Sequence, residues 1–98
     1  MPTYRASAAF RREFGRLAPE QRRQFLRAVT AFVTDLAQAP PSFSPGLRVK
    51  RVQGHSGVWE LSFAADGRAT FEYGNSVREG EPHVIWRRVG THAILRNP

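Results

Sequence analysis

Three polar side chains of different chemistry follow or interrupt short strand-like runs in the second half of the sequence. Glu60 lies inside an apolar run, Arg68 follows an Asp-Gly pair, and His92 follows a Val-Gly-Thr segment. Metal-free cleavage of a ribonucleic acid needs a base for the 2′-hydroxyl, a cation at phosphorus and an acid for the leaving oxygen. Glu60 is the candidate base, Arg68 the candidate cation, and His92 the candidate acid because imidazole exchanges protons near neutral pH.

The charge of the chain favours a polyanionic partner. Its 98 residues carry a net charge of +7, from 15 basic residues, all but one of them Arg, and 8 acidic ones. Basic side chains displace counterions from phosphates, so nucleic acid or an acidic protein is expected to bind. Arg48, Lys50 and Arg87 are the candidates for contacts with flanking phosphates. An Arg-rich composition can equally reflect codon bias and a solvated surface, and that alternative stays open.

The candidate site residues also have simpler interpretations. Glu60 and Arg68 on neighbouring strands can form a surface salt bridge worth about 0–1 kcal/mol. His92 can be an exposed residue near the end of the sequence. Trp59 and Trp86 could stack on bases, but their apolar surroundings favour a place in the core.

A metal site and a bound cofactor are not expected. The sequence has no cysteine, and no two of its three histidines stand at ligand spacing. The catalytic hypothesis is therefore metal-independent.

Two amphipathic helices are predicted before residue 39. Apolar residues recur at helical spacing from Phe10 to Leu17 and again from Phe25 to Leu36. Ser7 is a suitable N-cap for the first helix, and Pro19 fits the first turn of the second. The apolar stripe of each helix must face a core or a partner.

Strands are predicted after the Pro-rich linker. Four runs alternate apolar and polar residues, and a short segment near the N-terminus is a candidate edge strand: Leu47–Val52, Val58–Ala64, Arg68–Tyr73, His83–Val89 and Thr3–Ala6. Asp66-Gly67 is a hairpin signal, so an antiparallel meander is expected. The predicted fold is α+β: one domain, residues 1–98, with two N-terminal helices packed on one face of a four- to five-stranded, mainly antiparallel sheet.

The opposite sheet face is predicted to be open to solvent. Alternation places Arg48, Lys50, Glu60 and Arg68 on that face, together with Ser62 and Thr70. Cross-strand neighbours have Cβ atoms about 4.5–5.5 Å apart, so Glu60 and Arg68 can share a substrate there.

The order of these parts resembles a known family. The two helices are followed by Leu47-Arg48-Val49-Lys50, Gly57-Val58-Trp59-Glu60-Leu61, Asp66-Gly67-Arg68-Ala69-Thr70-Phe71 and Val89-Gly90-Thr91-His92. This order is similar to that of the RelE/ParE superfamily of type II toxin–antitoxin toxins, in particular its RelE-like mRNA interferase branch. The resemblance covers nearly the whole chain.

The resemblance implies a microbial RNase-like fold and cleavage of messenger RNA on the ribosome, which inhibits translation. It also implies a cognate antitoxin with an acidic segment and an amphipathic helix. Arg68 matches the family's arginine at the scissile phosphate, and His92 matches a basic position used as acid or phosphate ligand. Glu60 stands where some members have a lysine that acts as base. Where relatives grip RNA with a C-terminal tyrosine or lysine-rich helix, this chain ends Ile94-Leu95-Arg96-Asn97-Pro98.

Two other functions remain open at this point. The ParE branch of the superfamily inhibits DNA gyrase by protein binding and does not need the cleavage residues. A non-catalytic RNA-binding domain is the third alternative. No secretion signal and no membrane-spanning apolar run is apparent, so a cytoplasmic location without membrane contact is expected.

Overall fold

A computed structural model describes residues 2–98 and has the predicted α+β architecture. Two helices precede a five-stranded sheet, and two short 3₁₀ turns flank the sheet strands. The elements are β1 Thr3–Ala6, α1 Ala8–Arg16, α2 Pro19–Leu36, β2 Lys50–Arg51, β3 Trp59–Ser62, β4 Gly67–Gly74 and β5 His83–Thr91, with the 3₁₀ turns Pro45–Leu47 and His92–Arg96. Within the described range, neither helix combines the length and apolar character needed to cross a membrane.

The sheet order is β1-β5-β4-β3-β2. Strands β2 to β5 form the predicted antiparallel meander, and β1 pairs in parallel with β5 at one edge. The last strand runs two residues further than predicted, to Thr91, and Gly67 at the start of β4 lies opposite Thr91. This register carries the chain after β5 to the turn that joins β3 and β4.

Both helices begin at the positions that Ser7 and Pro19 predicted. The Ser7 hydroxyl accepts a hydrogen bond from the Phe10 N–H at 3.0 Å and donates to the Arg87 carbonyl at 2.7 Å. The first cap thus ties α1 to the sheet as well as closing its first turn. Helix α2 begins at Pro19, and the Gln21 side chain accepts from the Ala18 N–H at 2.9 Å.

Aromatic side chains dominate the core between the helices and the sheet. The Phe32 and Phe71 ring centroids lie 5.0 Å apart, and Phe25 and Trp86 meet edge to face at 5.5 Å. Such pairs contribute about 0.5–1.5 kcal/mol each beyond their burial. Trp86 is buried as predicted, and Trp59 packs half-buried at the core margin with the Arg51 guanidinium over its ring.

The predicted strand Leu47–Val52 is mostly not a strand. Pro45–Leu47 forms a 3₁₀ turn that directs Leu47 into the core, and only Lys50–Arg51 pairs with β3. Arg48 ends that turn in the left-handed conformation, with φ +48°. Arg48 and Lys50 therefore do not lie together on one strand face, because the turn that buries Leu47 rotates the backbone between them.

The second face of the sheet is not simply open, as alternation alone suggested. The turn His92–Arg96 packs against β4 and β5, and Ile94 lies 3.1 Å from the position a Cβ would take on Gly90. Glu60 and Thr70, which were expected in solvent, are buried. The segment after β5 folds back over the sheet, and the alternation of residues within the strands could not predict this.

Candidate active site

Arg68 is the cation held most firmly at the β3–β4 turn. Its Nε lies 4.0 Å from Glu60 Oε1, and its Nη1 donates to the carbonyl oxygens of Gly67 at 2.9 Å and Ala64 at 3.2 Å. The side chain is 17% exposed. Its other terminal nitrogen, Nη2, has no hydrogen-bond partner anywhere in residues 2–98. Arg68 thus has a fixed orientation and two unused N–H donors.

Glu60 occupies a different environment from the one expected of a base. It is 6% exposed and forms an ion pair with Arg68. Removing either partner of a buried ion pair leaves an uncompensated charge, so the two side chains stabilise each other's position. The prediction of an exposed Glu60 was wrong. Its geometry suits holding Arg68 rather than reaching a substrate hydroxyl.

His92 forms a close pair with Asp66. The His92 ring Nδ1 is in hydrogen-bond contact with Asp66 Oδ1, and the His92 backbone N–H donates to the same oxygen at 3.3 Å. These hydrogen bonds, the side-chain one first, hold the pKa of Asp66 below its ordinary value. With Nδ1 turned to Asp66, the other ring nitrogen, Nε2, is the one left to contact a ligand.

Asp66 was predicted only as a turn residue. Its contact with His92 depends on two distant segments, the Asp-Gly turn and the Gly-Thr-His segment at the end of β5. The register of the sheet brings these two segments together. Gly67 between Asp66 and Arg68 is required sterically, because a Cβ there would lie 2.6 Å from the Phe63 ring. The backbone at this turn is therefore closely packed against the core.

The imidazole and the guanidinium come from different segments that meet at one end of the sheet. Asp66 contacts His92, and Arg68 is close enough to Asp66 to contribute to lowering its pKa. The His92 side chain is 71% exposed, so it is open to a ligand. The structure brings Arg68, Asp66 and His92 to one end of the sheet, with Glu60 beneath Arg68.

The three residues that were predicted to contact phosphates, Arg48, Lys50 and Arg87, lie in different environments. Arg87 Nη1 forms an ion pair with Glu72 Oε2 at 2.6 Å, and Nε and Nη2 of Arg87 donate to the Pro98 carbonyl. Its donors are largely occupied, which disfavours the predicted role. Lys50 is exposed on the edge strand opposite Glu60, and Arg48 is exposed at the mouth of a cleft.

That cleft, of about 550 Å³, lies between α2 and the β3–β4 turn. Arg27 of α2, Arg48 and Arg68 all line it. Sequence reasoning missed Arg27, because its position on a helix says nothing about which sheet residues it will face. We call this feature the arginine cleft.

A second hollow of about 860 Å³ lies between β1 and the two helices. It is mainly apolar, with Phe10, Phe14 and Leu26 among its walls and Tyr4 at its edge. Tyr4 and Leu26 are exposed large hydrophobic residues, so this surface is suited to an apolar partner. In residues 2–98 no three His, Asp or Glu side chains are grouped to hold a metal ion.

Comparison with known proteins identifies the fold. No protein-family model and no curated protein matches the sequence. Solved structures do: a YafQ mutant from E. coli aligns over 97% of this chain and 98% of its own, with a TM-score of 0.68 and 13% identity. The E. coli DinJ-YafQ toxin-antitoxin complex gives 96% of both chains, TM-score 0.66 and 15% identity.

Two further structures cover similar lengths. The RelB-RelE antitoxin-toxin complex from Methanococcus jannaschii aligns over 95% of each chain at TM-score 0.61, and a YoeB/ParE toxin from Agrobacterium tumefaciens over 92% of this chain and 98% of its own at 0.65. Both are 13% identical to this chain. Two helices on a five-stranded sheet, aligned over almost the whole length, give this chain the fold of the RelE/ParE toxin superfamily.

Proposed function

We propose that this protein is the toxin of a type II toxin–antitoxin system and a metal-independent endoribonuclease that cuts messenger RNA on the ribosome. The observation that carries the proposal is the β3–β4 turn, where Arg68 presents unused donors beside the Asp66–His92 pair. The fold shared with the YafQ, RelE and YoeB/ParE toxins supports it, as does the net charge of +7. A guanidinium and an oriented imidazole are suited to phosphate chemistry.

In the proposed reaction the 2′-hydroxyl oxygen attacks phosphorus and the bond to the 5′-oxygen breaks. The products are a 2′,3′-cyclic phosphate and a free 5′-hydroxyl. Arg68 donates from Nη2 to the phosphoryl oxygens, whose negative charge grows in the transition state. His92, with Asp66 on Nδ1, gives a proton from Nε2 to the leaving 5′-oxygen.

The role of Glu60 changes in this proposal. It was expected to be the base, but its burial against Arg68 leaves it no access to a hydroxyl. Glu60 instead holds the guanidinium in place, and the proton of the attacking hydroxyl passes to water. Positioning of this kind lowers the entropy lost when the phosphate binds.

The proposed partner is an antitoxin with an amphipathic helix and an acidic segment. Two of the similar structures are complexes of a toxin with its antitoxin, DinJ-YafQ and RelB-RelE. The apolar hollow beside β1, with exposed Tyr4 and Leu26, suits the apolar face of such a helix. The basic surface suits the acidic segment, so binding weakens as salt is added.

The test is cleavage of a defined message on translating ribosomes, with the ends of the products identified chemically. The proposal predicts fragments with 2′,3′-cyclic phosphate ends for the native protein and loss of cutting in Arg68→Ala and His92→Ala. Unchanged cutting in both variants would remove the site assignment. Intact messages together with gyrase-dependent DNA breaks would favour a gyrase inhibitor. Tight RNA binding with no cut product would favour a non-catalytic RNA-binding domain.

A further inference from the structure

The arginine cleft collects three guanidinium groups from separate parts of the chain. Arg27 comes from α2, Arg48 from the end of the 3₁₀ turn before β2, and Arg68 from the start of β4. None of the described residues that line the cleft is acidic. In residues 2–98, neither Arg27 nor Arg48 has a carboxylate within ion-pair distance. Among the described residues, no carboxylate therefore competes with an incoming anion for these two exposed guanidinium groups.

The backbone at Arg48 supports a role for this cleft. Arg48 is the only residue other than glycine with a positive φ in the described part of the chain. The left-handed region is unfavourable for a residue with a Cβ, and glycine is the usual choice there. The left-handed conformation ends the 3₁₀ turn, and at this position a large basic residue stands at the cleft that Arg27 and Arg68 also line, where a glycine would offer no charge to a ligand.

We propose that the arginine cleft is a binding subsite for one phosphate group of a single-stranded RNA, adjacent to the phosphate that Arg68 contacts. This inference rests on the proposed function and assigns to the cleft the path of the strand beyond the cleaved bond. Arg27 and Arg48 donate to the same phosphate from opposite walls, since each planar guanidinium presents a fork of N–H donors that matches two phosphoryl oxygens. The contact holds the strand in position and reads no base.

The experiment measures binding of a short 2′-O-methyl oligoribonucleotide, which cannot be cut, across a series of salt concentrations. The variants are Arg27→Gln, Arg48→Gln and the double variant. Arg12→Gln is the matched control, because Arg12 is an exposed arginine on α1 outside the cleft. Thermal unfolding of each variant verifies that the fold is kept.

Salt dependence gives the number of phosphates that the cleft binds. For single strands the slope of log affinity against log salt changes by about 0.7 for each phosphate neutralised. If both arginines hold one phosphate, each single variant keeps most of the slope, because the remaining arginine still neutralises that phosphate, and its affinity falls. The double variant loses about 0.7 of slope, and Arg12→Gln loses neither slope nor affinity.

Three results would overturn the inference. A double variant that keeps the slope and affinity of Arg12→Gln would show that the cleft does not bind RNA. A double variant that loses about 1.4 of slope would show two separate phosphates instead of a shared one. Variants that weaken binding of an acidic peptide but leave RNA affinity unchanged would assign the cleft to a protein segment. Because the probe cannot be cut, a failure of the nuclease proposal does not affect the binding result.

Discussion

Two arginine-rich regions of this small protein differ in what their donors bind. In the middle of β5, Arg87 is paired with Glu72 and the Pro98 carbonyl, and Arg88 with Glu13 and the Asn97 carbonyl. At the β3–β4 turn, Arg68 has one carboxylate and retains an unpaired terminal nitrogen. Arginine content thus says little about binding, and the unused donors mark the surface that is able to bind an anion.

The contacts of the arginines in the two regions also have different structural effects. The pairs of Arg87 and Arg88 join β5 to α1, to β4 and to the last residues of the described chain, which is a structural role. The hydrogen bonds from Arg88 to Glu13 raise the pKa of Arg88 above its ordinary value, so the Arg88 guanidinium stays charged. Around Arg68 the pairing is with the turn itself, and it orients the guanidinium without occupying all of it.

The largest expected difference in stability is between loss of Glu60, which pairs with Arg68, and loss of Glu72, which pairs with Arg87. Glu60→Gln leaves the mostly buried Arg68 without its counter-charge, and we expect a loss of about 3 kcal/mol in the free energy of unfolding. Glu72→Gln removes the more exposed partner of Arg87 and should cost less than about 1 kcal/mol. Urea denaturation of both variants measures the difference. Equal losses would show that Glu60 does not hold Arg68.

A smaller effect concerns the Asp66–His92 pair. Asp66→Asn removes the negative charge beside the imidazole and puts an amide that can also donate in its place, and cutting should fall about tenfold, equivalent to about 1.4 kcal/mol. The same substitution in a His92→Ala background should have no further effect, because the two residues act as a unit. Rates from single-turnover cleavage give both numbers. Independent, multiplicative losses would contradict the pairing.

Substitution of Arg48 by glycine should raise the stability of the protein and weaken its binding of RNA. Arg48→Gly relieves the left-handed conformation, and we expect the free energy of unfolding to rise by about 0.5–1 kcal/mol. The same change removes a guanidinium from the arginine cleft, so affinity for single-stranded RNA should fall. Calorimetry and RNA titration on one protein preparation measure both. A variant that is less stable, or that binds RNA normally, would argue against a ligand role for Arg48.

The smallest expected effect is a pH dependence of stability at the turn. The pKa of Asp66 is lowered in the folded protein, so the His92–Asp66 contact stabilises the fold at pH values above the ordinary carboxyl range. Its contribution is lost as pH falls through the lowered pKa and the carboxylate becomes protonated. The difference in melting temperature between the native protein and Asp66→Asn should therefore shrink from pH 6 to pH 3. A difference that grows over that interval would reverse the assigned sign.

Local patterns in the sequence were sufficient for the architecture. Helical spacing, the Ser7 cap and the Asp-Gly turn gave the two helices and the meander, because each depends on residues close in the chain. The edge strand Thr3–Ala6 was also predicted, although its parallel pairing with β5 joins residues 80 apart in sequence.

The site was harder to predict because it depends on distant segments. Strand alternation assigns Glu60 to a face but cannot show that the chain returns over that face after β5. Asp66 meets His92 across 26 positions, and Arg27 reaches the arginine cleft only once α2 is placed on the sheet. The occupied state of Arg87 likewise follows from a contact with the last described residue.

The central claim is that Arg68 acts on RNA while Arg87 is structural, and one assay compares them directly. Cleavage of a message on translating ribosomes is measured for Arg68→Ala and Arg87→Ala, two variants with the same change in side chain and charge. The account predicts a fall of about 10²–10³-fold for Arg68→Ala, as for loss of one charge-stabilising donor. Arg87→Ala should stay within a fewfold of the native rate. Equal losses in both variants, or full activity in Arg68→Ala, would contradict the account.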